Sequence, residues 1–272
     1  MQTDLYADLY KNAEIDTNAC NTLLNDVNVK LTEEECELCE SDIAIQEVEI
    51  VINSLKRDSS PGYDGILNEF YQKYWPVIGL EFVNVINEIQ NSGNMSNSQS
   101  LGIITLLYKK GDRNDITNWR PITLLNCDYK IIEKVLANRM KFVLNNIIHS
   151  DQKAYIKGRQ ISENIRLAHD VTFYCENHNK PGAILYIDQS KAFDRVSHKW
   201  LEKVLKRYGF GNNFQKWIRI LYAGAKSTIF TNVFFSQTIN IERGYVKVLH
   251  LGRIFTSNKV NHWPIRLEEI QQ

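Results

Sequence analysis

The segment Ala183-Ile184-Leu185-Tyr186-Ile187-Asp188 limits this chain more than any other. The apolar run is too short for a buried helix and too continuous for a loop. It therefore predicts a short strand that ends on a carboxylate and needs a sheet to receive it. Gln189-Ser190-Lys191-Ala192-Phe193-Asp194-Arg195-Val196 follows, a turn into a helix. A carboxylate at a sheet edge beside such a turn can hold a divalent metal, and Mg²⁺ favours one or two carboxylates together with substrate phosphates. An aspartate at a strand end can equally be a helix cap, and Asp194 is placed to cap the next helix.

The rest of the pattern supplies helices and a little more sheet. From Asp42 the positions Ala44, Val48, Val51 and Leu55 form one helical face, which breaks at Ser59-Ser60-Pro61-Gly62. A second helix is predicted over 77–90 with Ile78, Phe82, Val85 and Ile89 inward, then a polar loop over 91–100. Residues 102–108 read as a buried strand, ending in the charged turn Lys109-Lys110-Gly111-Asp112-Arg113. A long helix over 128–148 has Ile132, Val135, Leu136, Val143 and Ile147 as its face, and shorter ones follow near 162–177, 198–208 and 213–222. Trp200, Phe214 and Trp217, at helical spacing, read as core. Residues 227–235 and 238–242 read as a hairpin. The fold class is α+β, a small sheet backed by helices with a largely helical N-terminal half.

Composition narrows the function. With 43% apolar and 24% charged residues among 272, the chain is neither disordered nor fibrous. No apolar run reaches the roughly 18–20 residues that span a bilayer. The start, Met1-Gln2-Thr3-Asp4-Leu5-Tyr6, has neither the basic nor the apolar region of a signal peptide. Five scattered cysteines indicate reduced thiols and an intracellular setting, cytoplasmic or nuclear. Cys36 and Cys39 form a lone pair, without the second pair a zinc ribbon needs, and the six histidines lack ligand spacing. The overall charge of zero hides a split. Residues 1–50 hold 13 acids and 2 bases, net −11, and residues 51–272 are net +11. Residues 1–41 read as an acidic lead-in, and the basic body behind them can bind a polyanion.

Further blocks stand in order along the chain: Ser60-Pro61-Gly62-Tyr63-Asp64-Gly65-Ile66, then Asn118-Trp119-Arg120-Pro121-Ile122-Thr123-Leu124-Leu125-Asn126, then Gln152-Lys153-Ala154-Tyr155-Ile156-Lys157-Gly158-Arg159 and Glu163-Asn164-Ile165. With the turn after Asp188, this series resembles the reverse transcriptases of non-LTR (LINE-type) retrotransposons, from about residue 54 to 244. The resemblance implies a right-hand polymerase fold, with fingers over 42–182 and a partial palm over 183–244. It also implies DNA synthesis from deoxynucleoside triphosphates on an RNA template and DNA primer, with Mg²⁺.

Residue by residue, the resemblance makes Asp188 the first metal-binding carboxylate and Phe193 the aromatic closing the sugar pocket, where a ring excludes a 2′-hydroxyl. Gln189, Ser190, Lys191 and Ala192 lie in the turn whose N–H groups can meet triphosphate oxygens. Arg120 matches the fingers arginine on the triphosphate, for which a guanidinium fork is suited. Lys109 and Lys110 stand at the fingertip, where a solvated charged loop is an equal reading. Pro61, Gly62, Lys157, Gly158 and Arg159 match template-facing segments.

The resemblance breaks after Gly244. Members continue with Val-Arg-Gln-Gly and a later paired-aspartate hairpin, but here Tyr245-Val246-Lys247-Val248 follows, with no such hairpin. Tyr-Val-Lys-Val can be encoded TAC GTC AAG GTN, and the adjacent frame, GTA CGT CAA GGT, reads Val-Arg-Gln-Gly. The expectation is a one-base deletion near codon 244, with a misplaced intron boundary over an intact locus as the alternative, and either leaves residues 245–272 as an aberrant tail and the palm truncated. The chain is then an RNA-directed DNA polymerase domain that is inactive by itself. A non-catalytic RNA-binding remnant and a functionless pseudogene product are the alternatives.

Overall fold

The computed structural model describes residues 2–187 and 191–244. The acidic stretch expected as a lead-in is folded, as α1 (Gln2–Tyr10), α2 (Thr17–Asn25) and α3 (Glu33–Glu40). Several of its acids cap these helices. Asp16 Oδ1 accepts from the N–H groups of Asn18 (2.9 Å) and Ala19 (3.1 Å). Thr32 and Glu35 exchange reciprocal bonds at the start of α3. Glu33, Glu34 and Glu35 fill the first turn of α3, where the helix dipole favours negative charge. Few apolar side chains carry the packing, chiefly Tyr6, Leu9, Tyr10, Cys20 and Cys39, all buried.

Next come α4 (Ile45–Asn53) and α5 (Asn68–Ser92). The helix predicted over 77–90 is longer and rotated relative to expectation. Val83, Ile86 and Ile89 are buried, whereas Val85 is 49% exposed. The cause is an upstream anchor. Tyr71 and Trp75 enter the core from the first turns, α5 continues through Pro76, and this phase fixes the inward face downstream. Gly79 makes room for the Trp75 ring, which a β-carbon would meet at 3.0 Å.

Strand β1 (Leu101–Tyr108) agrees with the pattern, but β2 (Trp119–Leu124) does not follow from it. It contains a proline and becomes a strand through its antiparallel register on β1, Ile103 opposite Leu124 and Leu107 opposite Arg120. The long helix is α6 (Cys127–Ile147), and Ile132, Val135, Leu136, Val143 and Ile147 are all buried. Ile131, Ala137, Met140 and Leu144 are buried too, so α6 is surrounded. It is followed by α7 (Ser162–Asn177), which buries no side chain, α8 (His198–Tyr208) and α9 (Asn212–Tyr222). Phe214 and Trp217 are core, and Trp200 is half-buried.

The predicted hairpin is arranged differently. β3 (Lys226–Thr231) turns at Asn232-Val233 into β4 (Phe234–Phe235), and β5 (Ile239–Asn240) pairs with the other end of β3. β3 lies parallel to β1, which gives the order β2-β1-β3-β4. Ile104, Ile229 and Ile239 on one face pack with Tyr6, Leu9 and Tyr10 of α1. The other face carries Leu107, Arg120, Phe230 and Phe235 in register and is open.

The strand predicted to end on Asp188 is not formed over 183–187. Ile184, Leu185, Tyr186 and Ile187 are 49–82% exposed and unpaired in the sheet. An apolar run becomes a strand only where a neighbour takes its N–H and C=O groups, and among the described residues none does. Asp188 lies outside the described residues, as do residues 245–272.

Asn232 (φ 52°) and Val233 (φ 70°) both adopt left-handed backbone, as a two-residue hairpin turn requires. A β-branched residue is strained there, by about 1–2 kcal/mol. Val233→Gly should therefore stabilise the fold by about 1 kcal/mol after the entropy cost of glycine, raising the thermal midpoint by about 2–4 °C. An unchanged or lower midpoint would contradict the strain.

Candidate functional site

Three pieces of the fold carry the site residues. The first is the β1–β2 tip. Tyr108 and Trp119 sit edge to face at 5.4 Å, the Tyr108 hydroxyl donates to Gly111 O (2.6 Å) and Trp119 Nε1 donates to Arg113 O (2.9 Å). The Arg113 guanidinium lies 4.9 Å over the Tyr108 ring. Asn118 Nδ2 donates to Asp112 O, and Asp115 holds Thr117 at the following 3-10 turn. These contacts fix the backbone that bears Lys109 and Lys110. The Lys109 N–H extends the ladder by donating to Asn118 O (2.9 Å), so strand alternation puts Lys109 on the open face with Arg120. Lys109, Lys110 and Arg120 are exposed and, among the described residues, outside any ion pair.

The second piece is the turn over 191–196. Lys191 has φ 52°, and Ala192–Arg195 form one 3-10 turn. Phe193 is half-buried with its ring edge-on to Tyr155 at 6.5 Å, which brings the turn against the 152–159 block. Asp194 does not cap the next helix. Ser197 Oγ does, accepting from the Trp200 N–H. Asp194 is instead 2% exposed, and its Oδ1 accepts from the Tyr10 hydroxyl at 3.4 Å. Burial, then the Asp194 charge, pushes the Tyr10 phenol well above its ordinary value, and the same two causes lift Tyr6 to about 12. Both rings thus stay neutral donors. Gln189 and Ser190 lie outside the described residues.

The third piece is the set expected to face a template, and it is divided. Gly62 is buried against Leu125 and Asn126, with no room for a β-carbon, and Asn126 Oδ1 accepts from the Asp64 N–H. Pro61-Gly62 thus docks onto the β2–α6 junction, at the far end of β2 from Arg120. Lys157 and Gly158 are exposed, Gly158 with φ 84°. Arg159 is used otherwise than expected. Its guanidinium donates to the carbonyls of Asn145, Ile148, His149 and Gln152, at 2.5–3.2 Å. It caps the C-terminal end of α6, where carbonyls lack helical partners and the dipole favours a cation.

The sequence model of one family, described as Reverse transcriptase (RNA-dependent DNA polymerase), matches residues 108–252. That interval runs from the β1–β2 tip through the 191–196 turn. The chain belongs to the reverse transcriptase family. Curated relatives agree. The Transposon TX1 uncharacterized 149 kDa protein of Xenopus laevis is 34% identical over 239 residues, 88% of this chain and 18% of that protein. The Retrovirus-related Pol polyprotein from type-1 retrotransposable element R2 of Popillia japonica is 25% identical over 69% of this chain and 25% of its own length. The Probable RNA-directed DNA polymerase from transposon BS of Drosophila melanogaster is 27% identical over 61% of this chain and 18% of its own. The chain spans a quarter or less of the length of each of these relatives.

Within this reverse transcriptase domain two positions that matter were not legible in the sequence. Arg139 is 4% exposed, in the middle of α6. Its guanidinium grips both oxygens of Glu47 (2.7 and 2.6 Å) and donates to the carbonyls of Cys39, Ser41 and Asp42. Its only signal was a cation on an apolar face, between Leu136 and Val143. Tyr10 lies in a stretch whose acidic composition hid its packing. No group of three or more His, Cys, Asp or Glu converges among the described residues, and Asp194 faces Tyr10. The described residues do not by themselves fit a Mg²⁺ site. No described helix is long and apolar enough to cross a membrane.

Proposed function

We propose that the chain is the fingers, residues 42–182, and the first part of the palm, residues 183–244, of a right-hand RNA-directed DNA polymerase of the non-LTR retrotransposon type. It takes deoxynucleoside triphosphates, an RNA template and a DNA primer, with Mg²⁺ as the metal and Asp188 as its first carboxylate. The observation that carries this reading is the rigid β1–β2 tip within the family match, which presents Arg120 and Lys109 on one open sheet face. A planar fork with free N–H groups and a neighbouring ammonium suit a triphosphate. The 191–196 turn offers backbone N–H groups and the Phe193 ring to the same nucleotide, with the ring against the ribose position. Exposed Lys157 and Gly158 and half-buried Pro61 serve the template strand, and Arg159 supports them by holding the end of α6.

Primer extension on an RNA template tests this, with the longest reading frame that contains the chain. Deoxynucleotide incorporation is expected. Arg120→Ala should raise the nucleotide KM about tenfold or more with a smaller change in kcat, because a guanidinium–phosphate contact exists in the ground state and contributes about 1.5–3 kcal/mol. An Arg120→Ala enzyme with unaltered KM would remove Arg120 from the triphosphate.

A further inference from the structure

Helix α1 meets the nucleotide-facing turn, and Tyr10 hydrogen-bonds to it. Tyr10 is 3% exposed and makes three contacts across long sequence distances. Its hydroxyl donates to Asp194 Oδ1. Its carbonyl, at the end of α1, accepts from the N–H groups of Glu242 (3.0 Å) and Arg243 (3.1 Å). The Arg243 guanidinium returns to the same helix end, donating to Leu9 O (2.8 Å) and Asp8 O (3.5 Å). Gly244 N–H then donates to Val196 O (2.7 Å), and Ser197 bridges to Arg243. Gly244 has φ 81°, and a β-carbon there would stand 2.6 Å from Asp194 O, so the two segments touch backbone to backbone. Three stretches remote in sequence, 8–10, 191–197 and 242–244, close into one junction, and Tyr10 contacts the other two.

We propose that Tyr10 is a positioning residue, which holds the 191–196 turn, and with it Phe193, in the geometry that receives the nucleotide. The inference rests on reading that turn as nucleotide-facing. The hydroxyl fixes Asp194, and Asp194 is the neighbour of Phe193. Without the hydroxyl the junction keeps its apolar packing, but the turn gains local freedom.

Two substitutions that each remove one buried hydroxyl separate this role from plain stability. Tyr6 stacks on Tyr10 at 6.4 Å in the same cluster and makes no hydrogen bond to Asp194 among the described residues. Exposed Lys191 and Arg195 put tryptic sites inside the turn, and exposed Lys110 is a reference site at the β1–β2 tip. Under native conditions Tyr10→Phe should speed cleavage at Lys191 and Arg195 about fivefold relative to Lys110, as expected for one lost buried hydrogen bond. Tyr6→Phe should leave that ratio alone, and the thermal midpoints of the two variants should fall together. In primer extension Tyr10→Phe should raise the nucleotide KM about fivefold with little change in kcat. Equal cleavage ratios in the two variants would overturn the proposal, as would an unchanged KM in an enzyme that extends primers. If the wild type extends no primer, the polymerase reading fails, and the cleavage ratio alone decides whether Tyr10 holds the turn.

Discussion

Arg139→Ala should lower folding stability by about 2–3 kcal/mol, less than for a fully buried ion pair, because Arg139 is buried but Glu47 is one-third exposed. Five hydrogen bonds end on this guanidinium, two to Glu47 and three to the carbonyls of Cys39, Ser41 and Asp42. Those carbonyls lie in the last turn of α3 and in the link to α4, where helix ends leave acceptors unpaired. The substitution orphans a carboxylate and three acceptors together. The loss has a pH signature. Burial pushes the Glu47 carboxyl up, but the Arg139 bonds and the Ala44 N–H outweigh it and hold it below the usual carboxylate range. A carboxyl depressed in the folded state contributes stability above its unfolded value near 4.5, lost as pH falls. Urea titrations of wild type should therefore show midpoints that fall below about pH 4.5, and Arg139→Ala should flatten that dependence. Arg139→Met with Glu47→Leu should recover part of the loss, since no lone charge remains, but not all, because the carbonyls stay unpaired. A single substitution that costs under about 1 kcal/mol would mean that water replaces the guanidinium at this joint.

The largest effect on activity is expected at Asp188. In a protein that extends primers, Asp188→Ala should cut the rate at least about 10²–10³-fold, as is usual where a group stabilising transition-state charge is removed. Template affinity should change little, because backbone phosphates are met by basic side chains elsewhere. Asp194 is the natural comparison, six positions later in the sequence. Its carboxylate faces the Tyr10 hydroxyl in the interior, and Asp194→Asn keeps an Oδ1 acceptor there. That variant should cost far less than Asp188→Ala. Single-turnover extension by both variants decides it. The reverse order would move the essential carboxylate to Asp194.

How much of this was legible depended on where each segment gets its order. α6, α8 and α9 carry their own period of apolar side chains, so Ile132, Val135, Leu136, Phe214 and Trp217 could be assigned to the core from spacing alone. β1 was legible for the same reason. β2 was not, because Trp119–Leu124 is a strand only by its register on β1. Residues 183–187 are the converse: their composition favours a strand, but no described neighbour supplies the ladder. α1 to α3 were hidden because residues 1–41 carry few regularly spaced apolar side chains, and two of their acids, Asp16 and Glu35, are capping groups. Arg120, Phe193 and Arg159 were all assigned by motif order, and Arg159 shows the limit of that evidence. A motif gives a residue's place in the chain and not the direction of its side chain, and four nearby carbonyls claim this guanidinium.

The parallel pairing of β1 with β3 has a consequence for synthesis. Leu101 lies beside Lys226, and the whole of α6 to α9 is threaded between them. The β1–β2 ribbon can close early, because its contacts are local, but its second edge waits until the ribosome has released the chain beyond Thr231. During that wait the β1 edge presents a row of unpaired amides and carbonyls, able to pair with any passing strand. The sheet that would carry the nucleotide is thus the slowest part of the domain to assemble. A nascent chain arrested between Tyr222 and Thr231 exposes its most association-prone surface.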